Sequence, residues 1–270
     1  MSEREVLPAM IVYGINPVLE ALRARRATRL RVSARSDRRM EELLALAARL
    51  GVPVDRVDPP MLDRAARGGV HQGVVAEIED PREYSIADLA GRPDGAEHRR
   101  EPGAAPRASD LGPHGSDLAP LIVVLDGIED PHNVGAILRT CDAAGATGVI
   151  RQERRAAALD GAVAKASAGA LAHVRIATVV NVARAIDELK ARGVWTIGLA
   201  GAADDPYTSV DWALPSAIVL GAEGDGLRRL VRDRCDRLVR IPMSGAVDSL
   251  NVSVAAGVVL YEAVRQRRMQ

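Results

Sequence analysis

The glycines and polar residues between positions 221 and 253 have the composition of a ligand-binding site. Three glycines, Gly221, Gly224 and Gly226, directly follow an apolar run at 217–220. A second apolar run, 238–243, leads into a loop with Gly245, and the polar residues 249, 251 and 253 open an apolar helix. A strand that stops at glycines lets backbone amides approach a ligand closely. We therefore expect two loops and one helix start to line a single pocket.

Two well-known glycine-rich motifs that bind phosphate groups do not match this stretch. The sequence reads GAEGDG, whereas a dinucleotide-binding turn reads GxGxxG. The next predicted strand, LVRIP, has no terminal acid that could hold a ribose hydroxyl. No GK[ST] follows the glycines, which excludes a P-loop.

Composition restricts the class of protein further. A chain of 270 residues with 47% hydrophobic content forms one or two domains with a real core. Lys plus Arg and Asp plus Glu both number 36, so an RNA partner would have to be attracted by local patches. The two cysteines lie in apolar helical patterns without metal-ligand spacing, and we expect buried thiols and no metal. No apolar run approaches a membrane span and the charged N-terminus lacks a leader pattern, so we expect a cytoplasmic protein.

One local basic patch stands out near the N-terminus. Eight arginines lie between Glu20 and Arg39 against two acids, a local charge of +6 (eight minus two). The arginines are 23, 25, 26, 29, 31, 35, 38 and 39. The patch favours RNA binding, although a solvated helix face has the same composition.

The N-terminal stretch, residues 10–79, alternates strand and helix patterns and predicts a compact α/β unit. Pro17 suits the first turn of a helix, and Gly51 suits a helix end. Residues 81–119 differ in composition from the stretch before them. Proline, glycine and mixed charges dominate, and only SIADLA has a helical pattern. We interpret this segment as a flexible linker.

From Leu121 the alternation resumes and predicts a parallel sheet. LIVVLD is uniformly apolar up to its last residue, as a central parallel strand should be. The following helix is predicted to begin at an N-cap Asn133 and to end at Gly145, with a buried stripe of residues 134, 137, 138 and 141. Arg139 lies off that stripe, four residues after Gly135, whose missing side chain could leave room for a bulky substrate group.

Three ordered motifs together resemble those of the SpoU (TrmH-like) family of RNA 2'-O-ribose methyltransferases, within the SPOUT class. They are residues 130–139, 221–227 and 241–255. The resemblance is greatest to enzymes that act on a guanosine of bacterial 23S rRNA. It covers roughly residues 10–80 and 120–268. GIN at Gly14 and HQG at His71 are similar to the small L30e-like RNA-binding domain of that group.

The family resemblance implies a two-domain α/β fold. Residues 1–80 would form an L30e-like RNA-binding domain, residues 81–119 the linker and residues 120–270 a methyltransferase domain with a trefoil knot. It also implies S-adenosyl-L-methionine as cofactor. The positions that match its binding residues are Gly201, Gly221, Ile241, Met243 and Leu250. Their apolar character suits an adenine and a methionine chain held by backbone groups.

The resemblance places five residues in catalysis: Arg139, Asn133, Glu223, Ser249 and Asn251. Arg139 would act at the ribose 2'-hydroxyl, either as a base perturbed by its site or as a phosphate clamp beside another proton acceptor. Glu223 could fix Arg139, bind RNA, or simply be an acid favoured at a helix N-terminus. Ser249 and Asn251 could also be plain helix caps.

The implied partners are RNA and a second copy of the chain. RNA contacts are expected at Arg23, Arg25, Arg26, Arg155 and Lys165. The apolar last helix has a surface suited to a homodimer interface. Two alternatives stay open at this point: a tRNA 2'-O-methyltransferase of the same family, and a non-catalytic RNA-binding or ribosome-assembly protein.

Overall fold

The structure, a computed structural model, describes residues 10–34, 37–79, 83–91 and 119–269. It divides into two compact units. The first contains the described part of Met1–Arg82 together with Asp130–Arg139 and Ala157–His173. The second contains the described parts of Glu83–Glu129, Thr140–Ala156 and Val174–Gln270. Two short segments that follow residue 121 in the chain therefore belong to the unit built around the N-terminus.

The first unit is a four-stranded mixed sheet with helices. Its elements are β1 Met10–Tyr13, α1 Ile15–Arg23, β2 Ala27–Val32, α2 Arg38–Leu50, β3 Val54–Arg56, α3 Pro59–Ala65 and β4 Val74–Ile78. The strand order is β1-β4-β2-β3, with β4 antiparallel to both neighbours. Helix α2 begins where the Asp37 side chain accepts a hydrogen bond from the Met40 amide at 3.0 Å, and it ends at Gly51 with φ 70°. The alternation predicted for residues 10–79 is thus confirmed.

The second unit is built on a six-stranded sheet in which every pair is parallel. Its strands are β5 Leu121–Asp126, β6 Gly148–Gln152, β7 Ile176–Val179, β8 Trp195–Leu199, β9 Ser216–Gly221 and β10 Arg237–Val239. The order is β10-β8-β9-β5-β6-β7. Strand β5 is buried along its whole length because it has a neighbour on each side and lies between covered faces.

Helices α4 Ile86–Ala90, α5 Pro131–Ala144, α6 Gly161–Ala166, α7 Val182–Ala191, α8 Arg229–Arg234 and α9 Val252–Arg267 complete the chain. The predicted fold class, α/β with a C-terminal parallel sheet and a small N-terminal α/β domain, is confirmed. Within the described residues, no helix is long and apolar enough to cross a membrane.

Helix α4 lies within the segment that the sequence suggested was a linker. The Ser85 hydroxyl and the Asp88 carboxylate cap it reciprocally, which explains why so short a helix forms. Ile86, Leu89 and Ala90 are buried in the same core cluster as strands β5 and β9. Residues 83–91 therefore belong to the core of the second unit and are not a free spacer, while residues 92–118 lie outside the described part of the chain.

Helix α5 begins earlier than the sequence suggested. Pro131 is its first residue, and the Asp130 carboxylate accepts a hydrogen bond from the His132 amide at 2.9 Å. Proline fits a first helical position because it has no amide proton to satisfy there. Asn133 is consequently not the N-cap but a buried residue of the first turn. The predicted stop at Gly145 (φ 68°) and the buried stripe of 134, 137, 138 and 141 are confirmed.

The two cysteines differ more than the sequence suggested. Cys141 is fully buried in α5, as predicted. Cys235 instead follows the end of α8 and is half-buried, with its thiol donating to the Val231 carbonyl at 3.3 Å. The prediction of a buried helical thiol is therefore wrong for Cys235.

Candidate active site

The candidate site is built from loops at the carboxyl edge of the parallel sheet in the second unit. Strands β10, β8 and β9 are neighbours and run in the same direction, so the loops that follow them leave from one edge. These loops contain Gly201 after β8, the turn 222–226 after β9 and the segment 241–251 after β10. The carboxyl edge of an open parallel sheet is where such folds bind ligands.

The turn after β9 is closed by a close backbone contact. A Cβ on Gly221 would lie 2.1 Å from the Gly226 carbonyl carbon and 2.3 Å from the Leu227 amide nitrogen. Gly224 and Gly226 have φ of 80° and 64°, in the left-handed region. Gly221 is thus glycine because the turn folds back onto it, a reason that holds with or without a ligand.

Gly201 is in a different environment. A Cβ at this position would meet nothing within 4 Å, so the surface above this turn is open. Ile241 is half-buried, whereas Met243 and Leu250 are 39% and 40% exposed. Met243 and Leu250 are therefore not ordinary core residues.

These features fit S-adenosylmethionine. The open turn at Gly201 would admit a flat ring against backbone, and exposed Met243 and Leu250 would cover apolar parts of the ligand. The loops also carry backbone amides and carbonyls that can recognise an adenine edge.

Glu223 and Asn251 are brought together from different motifs. The Asn251 side-chain nitrogen donates to a Glu223 carboxylate oxygen at 3.1 Å. The Asn251 side-chain oxygen, Oδ1, also caps α9, accepting from the Ser253 amide at 2.9 Å and the Val254 amide at 3.4 Å. Asn251 therefore caps the helix and also links the two loops.

Glu223 does not have the role of a helix-terminal acid. It lies in the turn after β9, and the next helix, α8, begins at Arg229. Ser249 lies in the exposed segment before α9, whose N-cap is Asn251, so Ser249 is not the cap of that helix.

The two predicted catalytic residues on α5 differ in exposure. Asn133 is 6% exposed, whereas Arg139 is exposed to solvent. Arg139 is thus available to an external ligand on this helix.

The predicted open space at Gly135 is not there. A Cβ at Gly135 would lie 2.3 Å from the Ala166 Cβ and 2.8 Å from the Ser167 amide nitrogen. Helix α6 occupies the space that the sequence suggested for a substrate group. Gly135 is therefore a packing glycine.

Much of the N-terminal arginine patch is engaged within the first unit. Arg23 pairs with Glu20 at 2.5 Å, Arg29 with Asp55 at 3.2 Å and Arg38 with Glu42 at 3.4 Å, and Arg31 pairs with Glu77. Asp55 and Glu77, which are distant in sequence, and the nearby Glu42 thus offset part of the local charge of +6, in which Glu20 is already counted. Arg35 lies outside the described residues.

The five predicted RNA-contact residues divide into two groups. Arg26 donates to the backbone carbonyls of Leu171 at 3.3 Å and Glu79 at 3.1 Å, and Lys165 donates to the Val70 carbonyl at 3.4 Å. Arg26 and Lys165 therefore have structural contacts of their own, as does the ion-paired Arg23. Arg25 and Arg155 are exposed, each with φ 55°.

An ion pair near the site, between a buried aspartate and a partly exposed arginine, was not predicted. Asp126, the last residue of β5, has 0% exposure. Its carboxylate accepts from the Arg228 amide at 2.9 Å and from the Arg228 Nε at 2.6 Å. The Arg228 Nη2 also donates to Gln152 at 2.6 Å. An acid that ends an otherwise apolar strand was the available sequence signal.

Comparisons with known proteins match both halves of the chain. The sequence profile of the SpoU rRNA Methylase family matches residues 120–261, and the profile described as RNA 2'-O ribose methyltransferase substrate binding matches residues 11–84. The 23S rRNA (guanosine-2'-O-)-methyltransferase RlmB of Pseudomonas putida is 41% identical over 96% of this chain and 97% of its own. RlmB of Ralstonia nicotianae is 46% identical over 86% of this chain and 85% of its own.

A solved structure supports the same conclusion. The AdoMet-bound rRNA methyltransferase from Sinorhizobium meliloti superposes with a TM-score of 0.72 at 26% identity, over 95% of this chain and 87% of its own. With the loops described above, these matches define an RNA 2'-O-methyltransferase that uses S-adenosylmethionine. The chain belongs to the SpoU rRNA Methylase family.

Proposed function

We propose that this protein methylates the 2'-hydroxyl of a guanosine in 23S rRNA. The observation that carries the proposal is the Glu223–Asn251 hydrogen bond, which joins the second and third sequence motifs at the carboxyl edge of the sheet. The substrate is suggested by the RlmB relatives, which align along nearly the whole chain. Their alignment includes the N-terminal unit, which favours rRNA over tRNA as substrate.

S-adenosylmethionine supplies an electrophilic methyl group when it is bound. The protein must then hold the ribose 2'-oxygen in line with that group and accept the hydroxyl proton. Arg139 would accept the proton itself, as a base perturbed by its site, or it would clamp a phosphate while another group accepts the proton. Asn133, Glu223, Ser249 and Asn251 would position the reacting groups, and the Glu223–Asn251 contact supports this for two of them.

Cofactor binding is assigned to Gly201, Gly221, Ile241, Met243 and Leu250. The open surface at Gly201 and the exposure of Met243 and Leu250 support three of these assignments. Gly221 would contribute by allowing the turn to close, and Ile241 by its half-buried position at the start of the segment.

RNA recognition is assigned to residues 1–80, joined by residues 81–119 to a catalytic domain at 120–270. Helix α4, within residues 81–119, packs in the same core as strands β5 and β9 of that domain. Exposed Arg25 and Arg155 are the best supported of the proposed RNA contacts. Arg23, Arg26 and Lys165 would contact RNA only with donor groups beyond their described contacts.

Three further properties follow from the family resemblance. The catalytic domain would carry a trefoil knot. The protein would act as a homodimer, and the exposed side chains of Val254 and Tyr261 on α9 support an interface there. An enzyme that modifies rRNA would work in the cytoplasm, where ribosomes are assembled.

The deciding experiment measures methyl transfer from labelled S-adenosylmethionine to 23S rRNA and to tRNA, followed by mapping of 2'-O-methylation in each RNA. We expect one modified guanosine in 23S rRNA. Modification of tRNA alone would establish the first alternative. RNA binding without methyl transfer to either RNA would establish the non-catalytic alternative.

A further inference from the structure

Asp126 lies beside the start of the glycine turn after β9 and is hydrogen-bonded to a residue just past its end. In the parallel pairing of β5 with β9, Asp126 is in register with Gly221, the residue before the turn. Its carboxylate binds the backbone amide and the guanidinium of Arg228, the N-cap position of α8. The turn 222–226 thus lies between one residue that is paired with Asp126 in the sheet and one that is hydrogen-bonded to it.

In this ion pair only the aspartate is shielded from water. The Asp126 side chain is completely buried, and the Arg228 side chain is 40% exposed. A buried carboxylate is stable when it is paired and hydrogen-bonded, and the Arg228 amide and guanidinium provide both. The planar guanidinium binds Asp126 and Gln152 at once, which a lysine could not reproduce.

The turn that Asp126 closes carries a residue of the active site. Glu223 lies in it, and Glu223 accepts the hydrogen bond from Asn251, which caps α9. A chain of direct contacts therefore runs from Asp126 through Arg228 and the turn to the start of α9. The exposed segment with Met243 and Leu250 ends at that helix start.

We propose that Asp126 and Arg228 are positioning residues, which hold the 222–226 turn in the conformation that binds cofactor. This rests on the proposed function for the identity of the ligand. Neither side chain needs to touch the cofactor, because the effect passes through the backbone of the turn and through Glu223. The Asp126–Arg228 pair thereby connects the sheet interior to the loop that receives S-adenosylmethionine.

The test compares Arg228→Gln and Asp126→Asn with the unaltered full-length protein. We expect both variants to fold and to bind S-adenosylmethionine about tenfold or more weakly by calorimetry, since one lost contact of this kind is worth a factor of that size. Without cofactor, amide hydrogen exchange should accelerate in residues 222–228 and 251–254 and stay unchanged in β5. A double variant should be no worse than the more severe single one.

The matched control is Arg234→Gln. Arg234 lies on the same helix, α8, and forms an ion pair with Asp187 of α7, away from the turn. It should leave cofactor affinity and exchange in the turn unchanged. If Arg228→Gln and Asp126→Asn behave like this control, the proposal is wrong.

Two further outcomes are also decisive. Should both variants fail to fold, Arg228→Lys takes their place: faster exchange in the turn supports the proposal, and wild-type exchange and affinity overturn it. Should the unaltered protein itself bind no S-adenosylmethionine, the proposed function fails. The exchange measured without cofactor then still shows whether the pair orders the turn.

Discussion

The Asn251 side-chain amide donates to the Glu223 carboxylate at 3.1 Å, across 28 residues of sequence. The same asparagine caps α9 with its carbonyl oxygen. An asparagine is well suited to this position because its side-chain amide offers both an acceptor for the helix and a donor for the acid. The contact fixes the turn after β9 relative to the last helix of the second unit.

Asn251→Asp should separate these two roles. Aspartate keeps the acceptor that caps α9, but it places a carboxylate against Glu223. We expect nearly unchanged thermal stability and cofactor affinity about tenfold weaker, measured by thermal unfolding and calorimetry.

Asn181 provides the matched control. It caps α7, accepting from the Arg184 amide at 3.2 Å, and it lies on a different loop. Asn181→Asp should leave cofactor affinity unchanged. Equal affinity losses in both variants would show that the Glu223 contact is not responsible.

Arg139→Ala should lower turnover by a factor on the order of 10² to 10⁴, the range for one acid–base or positioning group. Its exposed position on α5 means that cofactor affinity and stability should hardly change. Arg139→Lys distinguishes two mechanisms. A clamp that needs a planar fork predicts an inactive lysine variant at every pH, whereas a proton acceptor predicts partial activity with a shifted pH profile.

Arg184→Ala serves as the control for Arg139, because Arg184 is an exposed helical arginine outside the proposed site. It should retain wild-type turnover. Normal turnover of Arg139→Ala combined with lost cofactor affinity would contradict the catalytic assignment.

Gly135→Ala should destabilise the protein by about 1–3 kcal/mol, because the new methyl group would overlap Ala166 and Ser167. Gly257→Ala in α9 is the matched comparison. Its Cβ would meet Thr140 at 3.9 Å, an ordinary contact, so we expect a neutral effect or a gain of about 0.5–1 kcal/mol. Urea unfolding of both variants measures the difference, and similar free energies would refute the packing role of Gly135.

The cysteine thiols should be unreactive in the folded protein. Burial raises the pKa of Cys141 to about 12, and burial with the nearby charge of Asp236 raises the pKa of Cys235 to about 12. At pH 8 the thiolate fraction should be about a thousandfold lower than in the unfolded chain, whose thiols titrate near 8.5. Iodoacetamide labelling with and without urea tests this, and rapid labelling of Cys141 in the native protein would contradict it.

The same pKa values predict how stability depends on pH. A thiol whose pKa is raised on folding stabilises the protein fully below the unfolded pKa. That contribution is lost as pH rises from about 8.5 towards 12, because the unfolded chain releases its proton first. Urea unfolding at pH 8 and pH 10 should show the loss, and Cys141→Ala should reduce it.

Much of the fold was predictable because its signals are local. LIVVLD, apolar up to its last residue, is buried from Leu121 to Asp126, and Gly51 and Gly145 end helices in the left-handed conformation that glycine adopts easily. The ordered motifs also indicated the family and the cofactor, since each motif is a short run of neighbouring residues.

Errors arose where a local pattern allowed two structures. Asn133 and Asp130 are both good N-caps, and Pro131 decided between them by fitting the first helical position. SIADLA has the length of a short linker helix, but three of its apolar side chains are buried in the core of the second unit. Burial of this kind depends on residues far away in the chain, which composition does not reveal.

The sequence by itself determined the alternation of strands and helices, the glycine turn and the membership of residues such as Glu223 and Asn251 in recognisable motifs. Only the tertiary structure decided what these residues contact. It showed that Ala166 fills the space beside Gly135, and that Arg228 neutralises the buried carboxylate of Asp126 from 102 residues away. Such contacts depend on side-chain packing and on parallel strand pairing. Both bring together segments that are far apart in sequence, and their sequence separation does not predict the contact.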